Sequence, residues 1–149
     1  MFRAHVCYHD AEKIRYILDS THPIFSVGCH PDGIVLFNTI SDVPDEDKPD
    51  DWVLQVTCSW LDDGDQGKSL SSGERLKMVK GRCAGMGGVY GKIWEWVPEG
   101  TFVSASGLSY WVTKSWDNHG GRVTLAGDAV SPGLISPVYL IVEGCVVVN

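Results

Sequence analysis

Along the stretch from Trp52 to Trp60, Trp52, Leu54, Val56 and Cys58 fall on one side and Val53, Gln55, Thr57 and Ser59 on the other. A period of two with one apolar and one mixed side predicts a strand of an antiparallel sheet whose second face lines a pocket or water. Ile24 to Cys29 and Ile34 to Ile40 are apolar runs flanking His30-Pro31-Asp32-Gly33, and proline and glycine at those places in a turn predict a hairpin. Ahead of it, Asp10 is placed to cap a helix carrying Ile14, Ile17 and Leu18, which His22-Pro23 brings to an end. Ser71-Ser72-Gly73-Glu74 reads as a capping box, and Leu76, Val79, Lys80 and Cys83 continue it at helical spacing to about Ala84. The Gly85-Met86-Gly87-Gly88 run weakens that end. Ile93 to Val97 and Thr101 to Ala105 read as two strands separated by Pro98-Glu99-Gly100. A further short strand, with Val123, Leu125 and Ala126, is entered through Gly120-Gly121 and closed by Gly127-Asp128. Val138 to Val142 and Cys145 to Val148 are apolar runs that must be buried in a sheet, pair with another subunit, or become an aggregation liability.

Composition narrows the classes. At 149 residues and 44% hydrophobic content the chain suits one domain with one modest core. A net charge of -7 argues against nucleic acid, whose binding needs clustered Lys and Arg. The five cysteines are odd in number and never spaced as CxxC, which suggests buried thiols of a reducing compartment, with neither a disulfide framework nor a zinc site. Asp62-Asp63-Gly64-Asp65-Gln66-Gly67 lacks the glycine position and the bidentate glutamate of a calcium loop, so no metal is expected. With no apolar run suited to a signal peptide or a membrane span, the expectation is a cytoplasmic protein. The acidic, proline-bearing loop from Val43 to Asp51 reads as a solvated connection.

Candidate chemistry gathers at Asp128, at two histidines and at the aromatic residues. Asp128 follows a strand and Gly127, a place from which a carboxylate can accept hydrogen bonds from ligand hydroxyls or act as a base. His30 and His119 are the candidate acids, each with the plainer alternative of a turn residue; the plain reading of Asp117 is an Asx turn. Trp60, Trp94, Trp96 and Trp111, with Tyr110, form a candidate apolar wall for a flat or polycyclic ligand, the alternative being that each is a core filler. No serine lies in a nucleophile-elbow sequence.

The stretch Trp116-Asp117-Asn118-His119-Gly120-Gly121-Arg122-Val123-Thr124-Leu125-Ala126-Gly127-Asp128-Ala129 closely resembles the second FAD-contacting motif of class A flavoprotein monooxygenases of the aromatic-hydroxylase type, in their fungal branch. The resemblance extends from about Asp10 to Pro132 through His22-Pro23-Ile24-Phe25, His30-Pro31-Asp32-Gly33, Asp42-Val43-Pro44, Trp52, Glu74-Arg75-Leu76 and Glu95-Trp96-Val97-Pro98. It implies that Asp128, beside Gly127, corresponds to the residue holding a ribityl hydroxyl. It also implies an α+β fold: the substrate-binding half of those enzymes, a mixed, largely antiparallel sheet with helices packed on one face, without the Rossmann half. The departures begin at Val130. Where the family has Ala-His-Pro and a Gly-Gln-Gly-x-Asn run opening a helix, this sequence has Val130-Ser131-Pro132-Gly133-Leu134-Ile135-Ser136-Pro137, and residues 133–149 are a divergent apolar tail. No Gly-x-Gly-x-x-Gly follows a strand. The flavin motif is therefore expected to be vestigial and the chain to hold no cofactor; because hydroxylation needs a flavin to carry activated oxygen, no flavin-dependent monooxygenation is expected of this chain alone. Two readings stay open. One is a cofactor-free enzyme of secondary metabolism that uses the old pocket for a cyclisation or pericyclic reaction, an isomerisation or a dehydration. The other is a catalytically silent fragment, or a binding or partner subunit that dimerises through its C-terminal strand.

Overall fold

A computed structural model describes residues 1–22, 24–61, 67–107 and 115–124. The chain forms two units, Met1–Gly107 and Leu108–Asn149. In the first, the elements in order are β1 (Phe2–Cys7), α1 (Ala11–Ser20), β2 (Phe25–Cys29), β3 (Val35–Asp42), a 3-10 turn (Pro49–Asp51), β4 (Val53–Ser59), α2 (Ser72–Cys83), α3 (Gly88–Glu95) and β5 (Ser104–Ala105). The strands make one sheet in the order β2-β3-β4-β1-β5, and every described pairing is antiparallel. The fold is α+β.

The strand alternation decides which face of the sheet is buried. Phe2, Ala4 and Val6 of β1, Leu36 of β3, and Leu54, Val56 and Cys58 of β4 form one core with Ile14 and Ile17 of α1, Leu76, Val79 and Cys83 of α2, and Val89, Ile93 and Trp94 of α3. All three helices therefore pack on one face. Burying each of these aliphatic side chains contributes roughly 1.5–3 kcal/mol before chain entropy is counted. On β2, Gly28 makes room for the Tyr90 ring, since an added Cβ would lie 2.7 Å from it. The Tyr90 hydroxyl donates to the Val27 carbonyl at 2.9 Å. That carbonyl points away from β3, because Ile24 and His30 hold the alternate hydrogen-bonded positions. Tyr90 thus occupies an acceptor on the edge of the sheet that would otherwise invite another strand.

Local signals place the helices. Asp10 accepts from the Glu12 and Lys13 amides at 3.0 and 3.2 Å. At α2 the Ser71 amide donates to Glu74 while the Glu74 amide donates to the Ser71 hydroxyl, a complete capping box. These bonds hold both carboxyls below their ordinary range: Asp10 chiefly through the Lys13 amide, Glu74 chiefly through the Ser71 hydroxyl. A carboxylate depressed on folding adds stability above its unfolded pKa and loses it as pH falls through the folded value. The urea midpoint is therefore expected to drop below about pH 4, and Asp10→Asn, which still caps, should flatten the α1 share of that drop; an unchanged acid limb in this variant would sink the assignment.

Three parts of the sequence reading are corrected. Ile93 to Val97 is not a strand: Val89, Ile93, Trp94 and Val97 are all buried at helical spacing, and Gly88–Glu95 forms α3. Its entry runs through Gly87 in extended backbone and Gly88 at φ +62°. From Thr101 to Ala105 only Ser104 and Ala105 pair, against Phe2 and Arg3. The first residues, assigned no element from the sequence, form the strand between β4 and β5. Two buried, unbridged thiols, Cys58 and Cys83, lie 3.7 Å apart; the neighbouring thiol and burial raise the Cys58 pKa, so Cys58 keeps its proton. Among the described residues no helix is long and apolar enough to cross a membrane.

Candidate functional site

The face of the sheet opposite the helices carries the other half of each alternation. The register sets Val27, Phe37, Thr57, Arg3 and Ser104 in one row and Phe25, Thr39, Gln55 and His5 in the next. Phe25 and Phe37 stack at 6.1 Å between centroids and give the face a flat apolar end. Arg3 is exposed and has no ion-pair partner among the described residues. His5 places Nδ1 3.2 Å from the Ser41 hydroxyl. Thr57, between the rings and the guanidinium, is 8% exposed, and its Oγ1 has no hydrogen-bond partner among the described residues. A buried hydroxyl without a partner costs free energy of order 1–3 kcal/mol, so native folds seldom keep one unmet. Hydroxyl, cation and stacked rings together suit a flat molecule with a carbonyl, phenolate or carboxylate oxygen.

The residues singled out from the sequence are distributed differently. Gly127, Asp128, Tyr110 and Trp111 lie outside the described residues. His30 sits at the β2–β3 turn, where its Nδ1 accepts the Asp32 amide at 3.3 Å and lies 3.4 Å from the Asp32 carboxylate. Its ring is engaged in its own turn. In the second unit His119 takes a left-handed φ of +49°, its amide donates to Asp117 Oδ1 at 2.8 Å, and its Nδ1 lies 3.3 Å from Asp117 Oδ2. Asp117 does make the Asx turn. The expected sheet-borne indole wall does not form from the three described tryptophans. Trp94 is fully buried in α3, inside the core. Trp96 ends α3 with the Tyr16 edge on its ring and the Lys13 ammonium 5.9 Å away. Trp60 stacks on Phe2 at 4.8 Å under the Arg82 guanidinium. Helix formation at 88–95 turned the alternating aromatics away from a sheet. Arg3, Thr57 and Phe37 were missed as site residues; the mixed side of the β4 pattern was the one signal that pointed to them.

Elsewhere, α2 and α3 border a shallow depression of about 420 Å³ lined by Lys80, Cys83, Met86, Gly91, Lys92 and Glu95. Its lysines are already paired, Lys80 with Glu99 at 3.0 Å and Lys92 with Glu95 at 2.8 Å. Among the described residues no group of three His, Cys, Asp or Glu could hold a metal. Among the described residues there is no parallel βαβ unit of the kind that cradles a dinucleotide pyrophosphate: all described strands are antiparallel, and the Gly85–Gly88 run joins α2 to α3.

No family model matches the chain, and no solved structure matches it. The chain is 34% identical over 128 residues to the FAD-dependent monooxygenase phnB of Penicillium herquei, covering 85% of this chain and 31% of that protein. It is 32% identical over 115 residues to the FAD-dependent monooxygenase cctM of Talaromyces islandicus, covering 77% and 28%. To the FAD-dependent monooxygenase dbaB of Emericella nidulans it is 31% identical over 114 residues, covering 72% and 29%. The chain thus spans about three-tenths of the length of the relatives it matches. Over this segment the chain is similar to fungal FAD-dependent monooxygenases.

Proposed function

We propose that this chain binds a flat, largely apolar small molecule on the second face of the sheet, and that the chemistry it performs by itself is a non-redox step on that molecule. The observation that carries the reading is the buried, partnerless Thr57 hydroxyl set between the Phe25–Phe37 stack and Arg3. A pre-shaped apolar surface with one cation can hold a near-attack conformer for a cyclisation, an isomerisation or a dehydration, with one acid or base to move a proton. On sequence grounds Asp128 is the base, and His30 or His119 the acid. In this reading the chain works without a bound cofactor.

Naphthoate, a flat aromatic carboxylate, tests the surface by quenching of tryptophan fluorescence in the full chain. Thr57→Val and Arg3→Gln should each weaken binding about tenfold, or about 1.4 kcal/mol. Thr57→Val should at the same time raise the urea midpoint, since it removes an unpaired buried hydroxyl. Weaker binding in a more stable protein marks a residue kept for a ligand; unchanged binding in both variants would refute the platform. A chain that binds naphthoate yet converts no polycyclic candidate would instead be the binding or partner subunit.

A further inference from the structure

At the end of β1, on the same face as Arg3 and His5, the half-buried Cys7 places its Sγ 3.3 Å from Nδ1 of the exposed His9. The thiol also lies 3.1 Å from the Asp50 carbonyl oxygen, to which it donates. His9 holds this place with a left-handed φ of +49°, a conformation that is uncommon outside glycine and asparagine. A cysteine and a histidine within hydrogen-bond reach are a nucleophile with its base. We infer that Cys7 and His9 form a thiol site for flat conjugated carbonyl compounds, which add covalently to the Cys7 sulfur.

The Thr57 hydroxyl is the independent sign that this face takes a ligand. Arg3 pairs with Thr57 and Cys7 with Val53, so the thiol and the orphan hydroxyl are four residues apart along their strands. At about 3.4 Å per residue that separation is about 14 Å, the length of a molecule of four fused rings. A thiol is a soft nucleophile, and the β-carbon of a conjugated carbonyl is a soft electrophile already present in a flat ligand. In the step, the sulfur bonds to the β-carbon as the C=C π bond breaks. The thiol proton leaves its bond to the Asp50 carbonyl for His9 Nδ1 and passes from there to the α-carbon of the enolate. Nothing is oxidised and no group leaves. The inference goes beyond the platform reading, and because it is tested with a small maleimide, its failure and the platform's can be told apart.

N-ethylmaleimide labelling of the full chain, followed residue by residue by peptide mass spectrometry, supplies its own reference. Cys29 is exposed and bonds no histidine among the described residues, while Cys58 and Cys83 are buried. Cys7 is expected to label at least about tenfold faster than Cys29 near pH 7, as general-base assistance would produce. His9→Asn keeps a residue that accepts the left-handed backbone but takes no proton. It should bring the Cys7 rate and its pH profile down to those of Cys29, with Cys29 unchanged and Cys58 and Cys83 unreactive as the sign of an intact fold. A wild-type Cys7 no faster than Cys29, or a Cys7 rate indifferent to His9→Asn, overturns the inference.

Discussion

Trp94→Ala is expected to lower the unfolding free energy by about 4 kcal/mol, within the usual range for deleting a buried aromatic side chain. Trp94 is fully buried in a core that all three helices share with the sheet, so the cavity opens where neither solvent nor a flexible loop can fill it. Its indole Nε1 has no hydrogen-bond partner. Trp94→Phe therefore gives up part of the ring volume but also discards an unpaired N–H worth about 1–3 kcal/mol, and it should cost far less than the alanine variant. Urea unfolding of the three proteins measures both differences; a phenylalanine variant as unstable as the alanine one would mean the N–H is compensated.

Two glycines should answer the same substitution with opposite signs. In α2, Gly81 faces open space, and Gly81→Ala is expected to add about 0.5–1 kcal/mol through lower chain entropy in the unfolded state and better helix propensity. In α3 a Cβ on Gly91 would run into the Met86 carbonyl oxygen, a backbone atom of the α2–α3 connection. Overpacking of this kind costs about 1–3 kcal/mol, which outweighs the propensity gain, so Gly91→Ala should destabilise. Urea midpoints that rise in both variants would show that the connection simply moves aside.

How far the sequence could be read depended on how local each signal was. The capping box at Ser71–Glu74 and the Asp10 cap need only three or four neighbouring residues, and both are where the pattern put them. The β2–β3 hairpin is set by its turn, with Gly33 at φ +77°. Ile93 to Val97 was misassigned because a short apolar run has the same composition in a buried helix as in a strand. What settles it is distant: Tyr8 donates to the Ile93 carbonyl at 2.8 Å across the core, and Tyr90 reaches the edge of β2. Likewise Phe2, Ala4 and Val6 alternate with Arg3, His5 and Cys7 in plain view, yet they become a strand through partners fifty and a hundred residues away.

By itself, the sequence determined the resemblance to fungal FAD-dependent monooxygenases, the α+β class, the caps, the hairpin and the two faces of the central strand, since each follows from residue types repeated over short spans. Only the tertiary structure decided which aromatics are core and which are surface, that His30 is bound into its own turn, and that a hydroxyl on β4 lies buried and unpaired beside an arginine from β1. Those are properties of strands brought side by side from remote parts of the chain, and no periodicity within one strand carries the identity of its neighbours.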